Sequence, residues 1–152
     1  MIIDISSYNG KIDWPTVAEA ENVEKVIHRG TIKNGHLDGR LIENINGIAT
    51  AYEDKRYPII YKFSYARNFP DATIEAYNLL NLLKINGLLS LIDTIWLDLE
   101  VFADREHTSL ECSYIIGAYK GICADYNKPF GIYCSYNYIR NILPKWAAGE
   151  RI

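Results

Sequence analysis

Two carboxylates two residues apart follow an apolar run in the middle of the chain. The run is Thr94 to Leu97, and the carboxylates are Asp98 and Glu100. Alternate side chains of a β-strand point to the same face, so these two project together, about 6.6 Å apart along the backbone. In a partly dry cleft such a pair cannot ionise freely, and one member stays protonated near neutral pH and can act as an acid.

This pattern is typical of more than one kind of site. Glycoside hydrolysis uses paired carboxylates, but a pair of metal ligands, a helix cap or solvated loop charges show the same D-x-E spacing. Loop-like residues follow at 103–106. The pattern therefore predicts two acidic groups at the end of a buried strand and leaves their chemistry open.

Five β-type segments alternate with stretches that carry helix signals. The segments are 2–5, 23–27, 58–63, 92–99 and 130–134. This alternation predicts an α/β protein with a parallel sheet, either doubly wound or closed towards a barrel. In both architectures, sites gather at the carboxyl ends of the strands. Four polar groups lie at such ends: Asp4 to Ser6, Ser64 with Tyr65, Asp98 to Glu100, and Ser135 with Tyr136.

Helix signals predict the connecting elements. Pro15 belongs in the first turn of a helix that runs to about Asn22, and Asp38 is expected to cap a helix that runs to about Asp54. The other helices are predicted at 71–85, from the capping box at 108–111 to 125, and at 137–143.

The composition is that of one ordinary globular domain, spanning residues 1–152. Apolar residues make up 49% and charged residues 23%, and the net charge of −3 with scattered basic residues argues against a nucleic-acid partner. Apolar runs fall short of the roughly 18 residues that a membrane span needs. The N-terminus shows no secretory signal pattern, so we expect synthesis in a cytoplasm.

Cysteines and histidines fit structural positions better than metal sites. Cys112, Cys123 and Cys134 are odd in number and lie in apolar patterns, which predicts buried free thiols. Cys112 and Cys123 are not at metal-ligand spacing. His28 lies inside an apolar strand, and we interpret it as a hydrogen-bonded core residue. We expect neither a metal nor a cofactor.

Six segments in register resemble the glycoside hydrolase family 25 lysozymes, the Chalaropsis type. The first is the opening Ile-Asp-Ile-Ser-Ser-Tyr-Asn-Gly-Lys-Ile-Asp-Trp at 3–14. The others are 26–30, Asp38 with 44–45, 61–66, 96–100 and 131–135. The matches run from residue 3 to about 148 and so cover nearly the whole chain.

The resemblance implies a TIM-like (β/α)5(β)3 barrel and hydrolysis of the β-1,4 bond between N-acetylmuramic acid and N-acetylglucosamine in peptidoglycan. Residues 144–148 resemble the start of the family's sixth strand, so we expect a barrel lacking its last strands and the family's C-terminal aspartate. Missing strands leave unpaired edges. This predicts a homo-oligomer or a second polypeptide that completes the barrel.

The resemblance also implies roles for individual residues. Glu100 matches the general acid, Asp98 the carboxylate that assists at the 2-acetamido group, and Asp4 a third acidic residue of the cleft. A direct nucleophile and substrate assistance both stay open. Tyr61 and Tyr133 match aromatic positions of the sugar site. Three further residues are candidate sugar contacts. Ser6 and Tyr65 lie at strand ends, and Trp96 shares a strand face with Asp98.

Two positions depart from the family pattern. Lys62 stands where the family has an aromatic residue or His, and Ile59 where it has Gly. A cation beside the acidic pair lowers carboxylate pKa values. Strand alternation, however, places Lys62 on the face opposite to Tyr61 and Phe63.

The leading interpretation is a muramidase of the endolysin type, encoded by a bacteriophage. It would be made in the host cytoplasm and reach the bacterial wall through a holin or as part of a virion. One alternative is a catalytically inactive glycan-binding or structural module derived from the lysozyme fold, and another is a fragment of a longer enzyme. The three retained carboxylates favour the enzyme, whereas the early end and Lys62 favour the binding module.

Overall fold

The computed structural model describes residues 1–20, 23–52, 58–101 and 105–149. The strands are β1 (Ile2–Ile5), β2 (Lys25–Arg29), β3 (Ile59–Phe63), β4 (Thr94–Leu99) and β5 (Phe130–Cys134). The α-helices are α1 (Trp14–Glu19), α2 (Leu41–Ala51), α3 (Phe69–Ile85) and α4 (Ser109–Asp125). Short 3-10 helices lie at Ser7–Asn9, Leu89–Leu91 and Lys145–Gly149, and a π-helix lies at Tyr138–Ile142.

The five strands form one parallel sheet in the order β1-β2-β3-β4-β5. Because successive strands are neighbours, right-handed crossovers place the connecting helices on one face of the sheet. This is the winding of a barrel wall, whereas a doubly wound sheet reverses its order at a switch point. The predicted TIM-like α/β fold is therefore confirmed. Among the described strands, β1 and β5 each pair with one neighbour, so this sheet does not close.

The helix-facing side of the sheet holds most of the core. Its fully buried members include Leu97, Leu99 and Ile132 of β4 and β5 with Ile115 and Ile116 of α4, and Ile60 and Ile95 of β3 and β4 with Leu79, Leu80 and Leu83 of α3. Each such side chain contributes about 1.5–3 kcal/mol on burial. The opposite face of the strands faces the inner side of the barrel wall.

A buried polar chain ties α2 to β2. Nδ1 of His28 lies 2.8 Å from the carbonyl oxygen of Arg29, and its Nε2 lies 2.8 Å from Nδ2 of Asn44. The carbonyl can only accept, so Nδ1 carries the proton and Nε2 accepts from the amide. Asn44 Oδ1 in turn accepts from Nε1 of Trp14 at 3.2 Å. Burial lowers the pKa of His28, and the prediction of a hydrogen-bonded core histidine is confirmed.

Two predicted elements are wrong. Asp38 does not cap α2, which begins after Arg40 without a side-chain cap; the buried carboxylate of Asp38 pairs with Arg29 instead. The segment 144–148 does not begin a strand, because Lys145–Gly149 forms a 3-10 helix. Pro144 has no N–H for a strand ladder, and its carbonyl accepts from the N–H of Ala147 at 2.9 Å.

Other boundaries move by a few residues. β2 begins at Lys25 rather than at Val23, and α3 begins at Phe69 after the N-cap Asn68. The predicted helix ends near Asn22 and Asp54, and the first half of the loop 103–106, lie outside the described residues.

The cysteines are free thiols, as predicted. Cys112 and Cys123 are buried, whereas Cys134 is partly exposed. None of the helices described is long and apolar enough to span a membrane.

Candidate active site

A cavity of about 210 Å³ lies at the carboxyl ends of the strands. The three predicted carboxylates, Asp4, Asp98 and Glu100, line it together. The remaining lining residues are Ile27, Tyr61, Trp96 and Tyr133. The structure thus brings six of the eight predicted site residues to one place.

Sheet register explains this arrangement. Asp98 pairs with Phe63 of β3 on one side and with Tyr133 of β5 on the other, and Trp96 pairs with Gly131. A β-carbon at Gly131 would lie 2.8 Å from Nε1 of Trp96, so glycine leaves room for the indole ring there. The ring can then lie across β5 beneath the carboxylates.

Asp98 is the buried member of the acidic group. Only 7% of it is exposed, and its Oδ1 has no hydrogen-bond partner among the described residues. Burial, followed by the negative charges of Glu100 and Asp4, raises the pKa of Asp98 to about 7, while Lys62 acts to lower it. Such a carboxyl group keeps its proton over part of the neutral range. Glu100, by contrast, is exposed to solvent.

Tyr61 brings a phenol hydroxyl to the lining of the acidic cavity. Burial, and then the charge of Asp4, raise the pKa of Tyr61 to about 12, so its phenol keeps the proton at physiological pH. Its ring, with those of Trp96 and Tyr133, presents flat apolar surface beside the carboxylates. Donors and aromatic faces of this kind suit a sugar ring.

A second cavity of about 800 Å³ shares Tyr61 and Asp98 with the first. The predicted sugar contact Tyr65 lines this second cavity, as do the cations Arg29 and Lys33. Its other lining residues are Tyr8, Thr31, Ile32, Asn34 and Phe63. Together the two cavities suit an extended ligand better than a compact one.

Sequence reasoning missed the ion pair that shapes this second cavity. Nε and Nη2 of Arg29 donate to Oδ2 of Asp38 at 2.8 and 2.5 Å, and Nη2 also donates to Oγ of Ser7 at 3.1 Å. Burial acts to raise the pKa of Asp38, but hydrogen bonds from the N–H of Arg40 and from Arg29 hold it below its usual value. The available signal was the place of Arg29 at the carboxyl end of β2.

Ser6 does not line either cavity. Its Oγ accepts from the N–H of Tyr8 at 3.3 Å and its own N–H donates to Oδ1 of Asn9 at 2.8 Å, so it caps the 3-10 helix Ser7–Asn9. Its substrate-binding role stays a prediction. A larger cavity of about 1050 Å³ between α1 and α2 contains none of the predicted site residues. Within the described ranges, no group of three or more His, Cys, Asp or Glu side chains could hold a metal ion.

The fold and the acidic cavity define a barrel-type α/β protein with its candidate site at the strand ends. Similar solved structures include the modular autolysin LytC from Streptococcus pneumoniae, with a TM-score of 0.75 and 26% identity over 91% of this chain and 33% of that chain. The catalytic domain of endolysin ply40 from bacteriophage P40 of Listeria monocytogenes matches with a TM-score of 0.69 and 21% identity, over 88% of this chain and 62% of that chain. No protein-family model matches the sequence, and no curated protein does either.

A family 25 glycosyl hydrolase from Bacillus anthracis has the same fold. Its TM-score is 0.66 at 15% identity, over 94% of this chain and 64% of that chain. The chain thus spans from a third to under two thirds of the length of these neighbours. Its structural neighbours are family 25 lysozymes and endolysins, and the resemblance drawn from the sequence is confirmed.

Proposed function

We propose that this chain is a peptidoglycan hydrolase that cleaves the β-1,4 bond between N-acetylmuramic acid and N-acetylglucosamine. The observation that carries the proposal is the meeting of Asp4, Asp98 and Glu100 in one cavity at the strand ends. Two neighbours support the substrate class. LytC was solved with a synthetic peptidoglycan ligand, and the Cpl-1 endolysin with a peptidoglycan analogue.

Glu100 is the general acid in this proposal. It is the exposed carboxyl group of the pair, so it can reach the glycosidic oxygen of a glycan that lies in the groove.

Asp98 is the assisting carboxyl group in this proposal. Repulsion from Glu100 is one cause of the raised pKa of Asp98, and this repulsion disappears when Glu100 takes up a proton. Asp98 then ionises more easily, so the pair shares one proton between an acid and a carboxylate. That carboxylate stabilises positive charge that develops at the sugar, by a direct nucleophilic route or by substrate assistance.

The aromatic residues hold the glycan over this pair. Tyr61, Trp96 and Tyr133 contact the sugar at the cleavage point, and Tyr65 contacts the part of the glycan in the second cavity. Residues 1–152 belong to one muramidase domain, whose site of action is the bacterial wall.

The test is clearing of a suspension of purified peptidoglycan, followed by turbidity. Loss of a general acid typically costs about 100- to 10,000-fold, so Glu100→Gln is expected to reduce the clearing rate by at least about 100-fold. Asp98→Asn is expected to reduce it as well, because the variant cannot supply a negative charge.

Glu19→Gln provides a matched control. It makes the same change at an exposed position of α1, and it is expected to clear peptidoglycan at the parental rate. Clearing by Glu100→Gln at that rate would refute the role of Glu100. No clearing by the parent, with binding to peptidoglycan retained in a pull-down, would refute the hydrolase and identify a glycan-binding module.

A further inference from the structure

A buried cation lies behind the candidate site. Lys62 of β3 is 3% exposed. Strand alternation places it on the same helix-facing side as Ile60, which packs with residues of α3. Its Nζ donates to the carbonyl oxygen of Phe63 at 2.7 Å and lies 4.7 Å from the centroid of the Tyr65 ring. Phe63 pairs with Asp98 in the sheet. The cation and the carboxylate therefore lie at nearly the same level on opposite faces of neighbouring strands.

Glu75 of α3 places a negative charge in the same region. Its Oε2 accepts from Oγ of Ser64 at 2.7 Å and from the hydroxyl of Tyr119 at 3.3 Å, and its Oε1 accepts from the N–H of Tyr65 at 2.9 Å. Three donors on two oxygens match an ionised carboxylate, which only accepts. Ser64 donates its own N–H to the carbonyl oxygen of Asp98 at 3.1 Å. A connected path thus runs from α3 through the end of β3 to Asp98.

We propose that Lys62 and Glu75 are positioning residues for Asp98, which fix the carboxyl end of β3 beside it and place one positive charge behind its carboxylate. The inference rests on the proposed function and extends it to two residues outside the cavity. Burial lowers the pKa of Lys62, while the charges of Glu75 and then Asp98 act to raise it. Both carboxylates therefore favour the charged form of the lysine.

The other groups around Asp98 determine the sign of the effect. Titratable groups act on it or flank it from each neighbouring element: Asp4 of β1, Tyr61 and Lys62 of β3, Tyr65 after β3, Glu100 after β4, and Tyr133 and Cys134 of β5. Arg29 and Lys33 line the second cavity with Asp98, but among the described residues Lys62 is the cation that acts to lower the pKa of Asp98. Removing it should therefore favour the protonated form of Asp98.

Lys62→Met tests the charge behind Asp98, because the unbranched apolar side chain of methionine can fill the buried space. Carbon-13 labelling of the aspartate carboxyl groups allows Asp98 to be titrated by NMR. The titration midpoint of Asp98 is expected to be higher in Lys62→Met than in the parent by about half a pH unit. This is the shift expected when one screened positive charge is removed from its surroundings. Lys84→Met removes the same charge from the exposed end of α3 and is expected to leave the midpoint unchanged.

Glu75→Gln tests the second half of the pair and decides the inference alone if Lys62→Met does not fold. Glutamine keeps one acceptor for the N–H of Tyr65 but removes the charge. The titration midpoint of Lys62, followed at its ε-carbon, is expected to fall, whereas Glu19→Gln should not change it.

Two results would overturn the inference: an Asp98 midpoint equal in the parent and Lys62→Met, or a Lys62 midpoint equal in the parent and Glu75→Gln. Neither titration requires hydrolysis. A parent that clears no peptidoglycan therefore refutes the proposed function without deciding the role of Lys62. If the parent is active, the inflection of kcat/KM near pH 7 should move upward with the Asp98 midpoint in Lys62→Met.

Discussion

The ionisation of Asp98 links a single residue of the site to the stability of the fold. Its pKa rises from 3.8 to about 7 on folding, chiefly because of burial. Between these values the folded state holds a proton that the unfolded state has released, so this group's contribution to stability is lost as the pH rises through about 7. An acid buried for chemistry therefore costs stability in neutral and alkaline solution.

Asp98→Asn should remove this cost. One pH unit of displacement corresponds to about 1.4 kcal/mol, and 1 kcal/mol shifts the Tm of a chain of this length by about 2–4 °C. The variant is therefore expected to gain on the order of 10 °C in Tm relative to the parent at about pH 8, with little gain at about pH 4. Thermal melts of both proteins across this pH range give the difference between their Tm values. The titration of all other groups affects both proteins alike and cancels in this difference. A constant difference in Tm across the range would contradict the raised pKa.

At the scale of elements, α1 and α2 approach as closely as glycine allows. A β-carbon at Gly47 would lie 2.1 Å from Cδ1 of Trp14, whose buried ring donates to Asn44. Gly47→Ala is therefore expected to lower the free energy of unfolding by about 1–3 kcal/mol, although alanine is the better helix former.

Gly121→Ala in α4 is the matched comparison. Apart from its chain neighbours and the backbone of its own helix, a β-carbon there meets no described atom within 4 Å. The substitution is therefore expected to raise the free energy of unfolding by up to about 1 kcal/mol. Urea unfolding curves of the two variants measure both values. If both substitutions changed the free energy of unfolding in the same direction, close packing against Trp14 would not be the cause of the effect of Gly47→Ala.

Elements with a strong local pattern could be predicted from the sequence. The alternation and apolar run of β4 were enough to place Asp98 and Glu100 on one face at a strand end, and the capping box located the start of α4 at Ser109. Strand order was open, because local patterns do not distinguish a doubly wound sheet from a barrel wall.

Features that arise only from packing between elements could not be predicted. The pairing of Arg29 with Asp38 and the placement of Glu75 near Lys62 bring together residues from different elements. Asp38 shows why: its local context is that of a helix cap, but its carboxylate accepts from the N–H of Arg40, before α2 begins, and from the side chain of Arg29 on β2, a partner that no local pattern indicates.

At the scale of the whole molecule, the described sheet presents two edges. The backbone groups of an edge strand that lack a neighbour can pair with another chain. Ile2 of β1 is 61% exposed and Tyr133 of β5 is 49% exposed, so apolar surface accompanies both edges. Among the partners that the resemblance implies, a second copy of this chain is the one that purified protein can test directly.

We expect purified chain to associate as its concentration rises, measured by size-exclusion chromatography with light scattering. Ile2→Lys places a charge beside the β1 edge and is expected to weaken association, because a charged edge resists pairing. Ile85→Lys makes the same change at the exposed end of α3, at 67% exposure, and should associate like the parent. Equal weakening by both substitutions would indicate nonspecific apolar contact, and a monomer at every concentration would show that the described edges do not pair with each other.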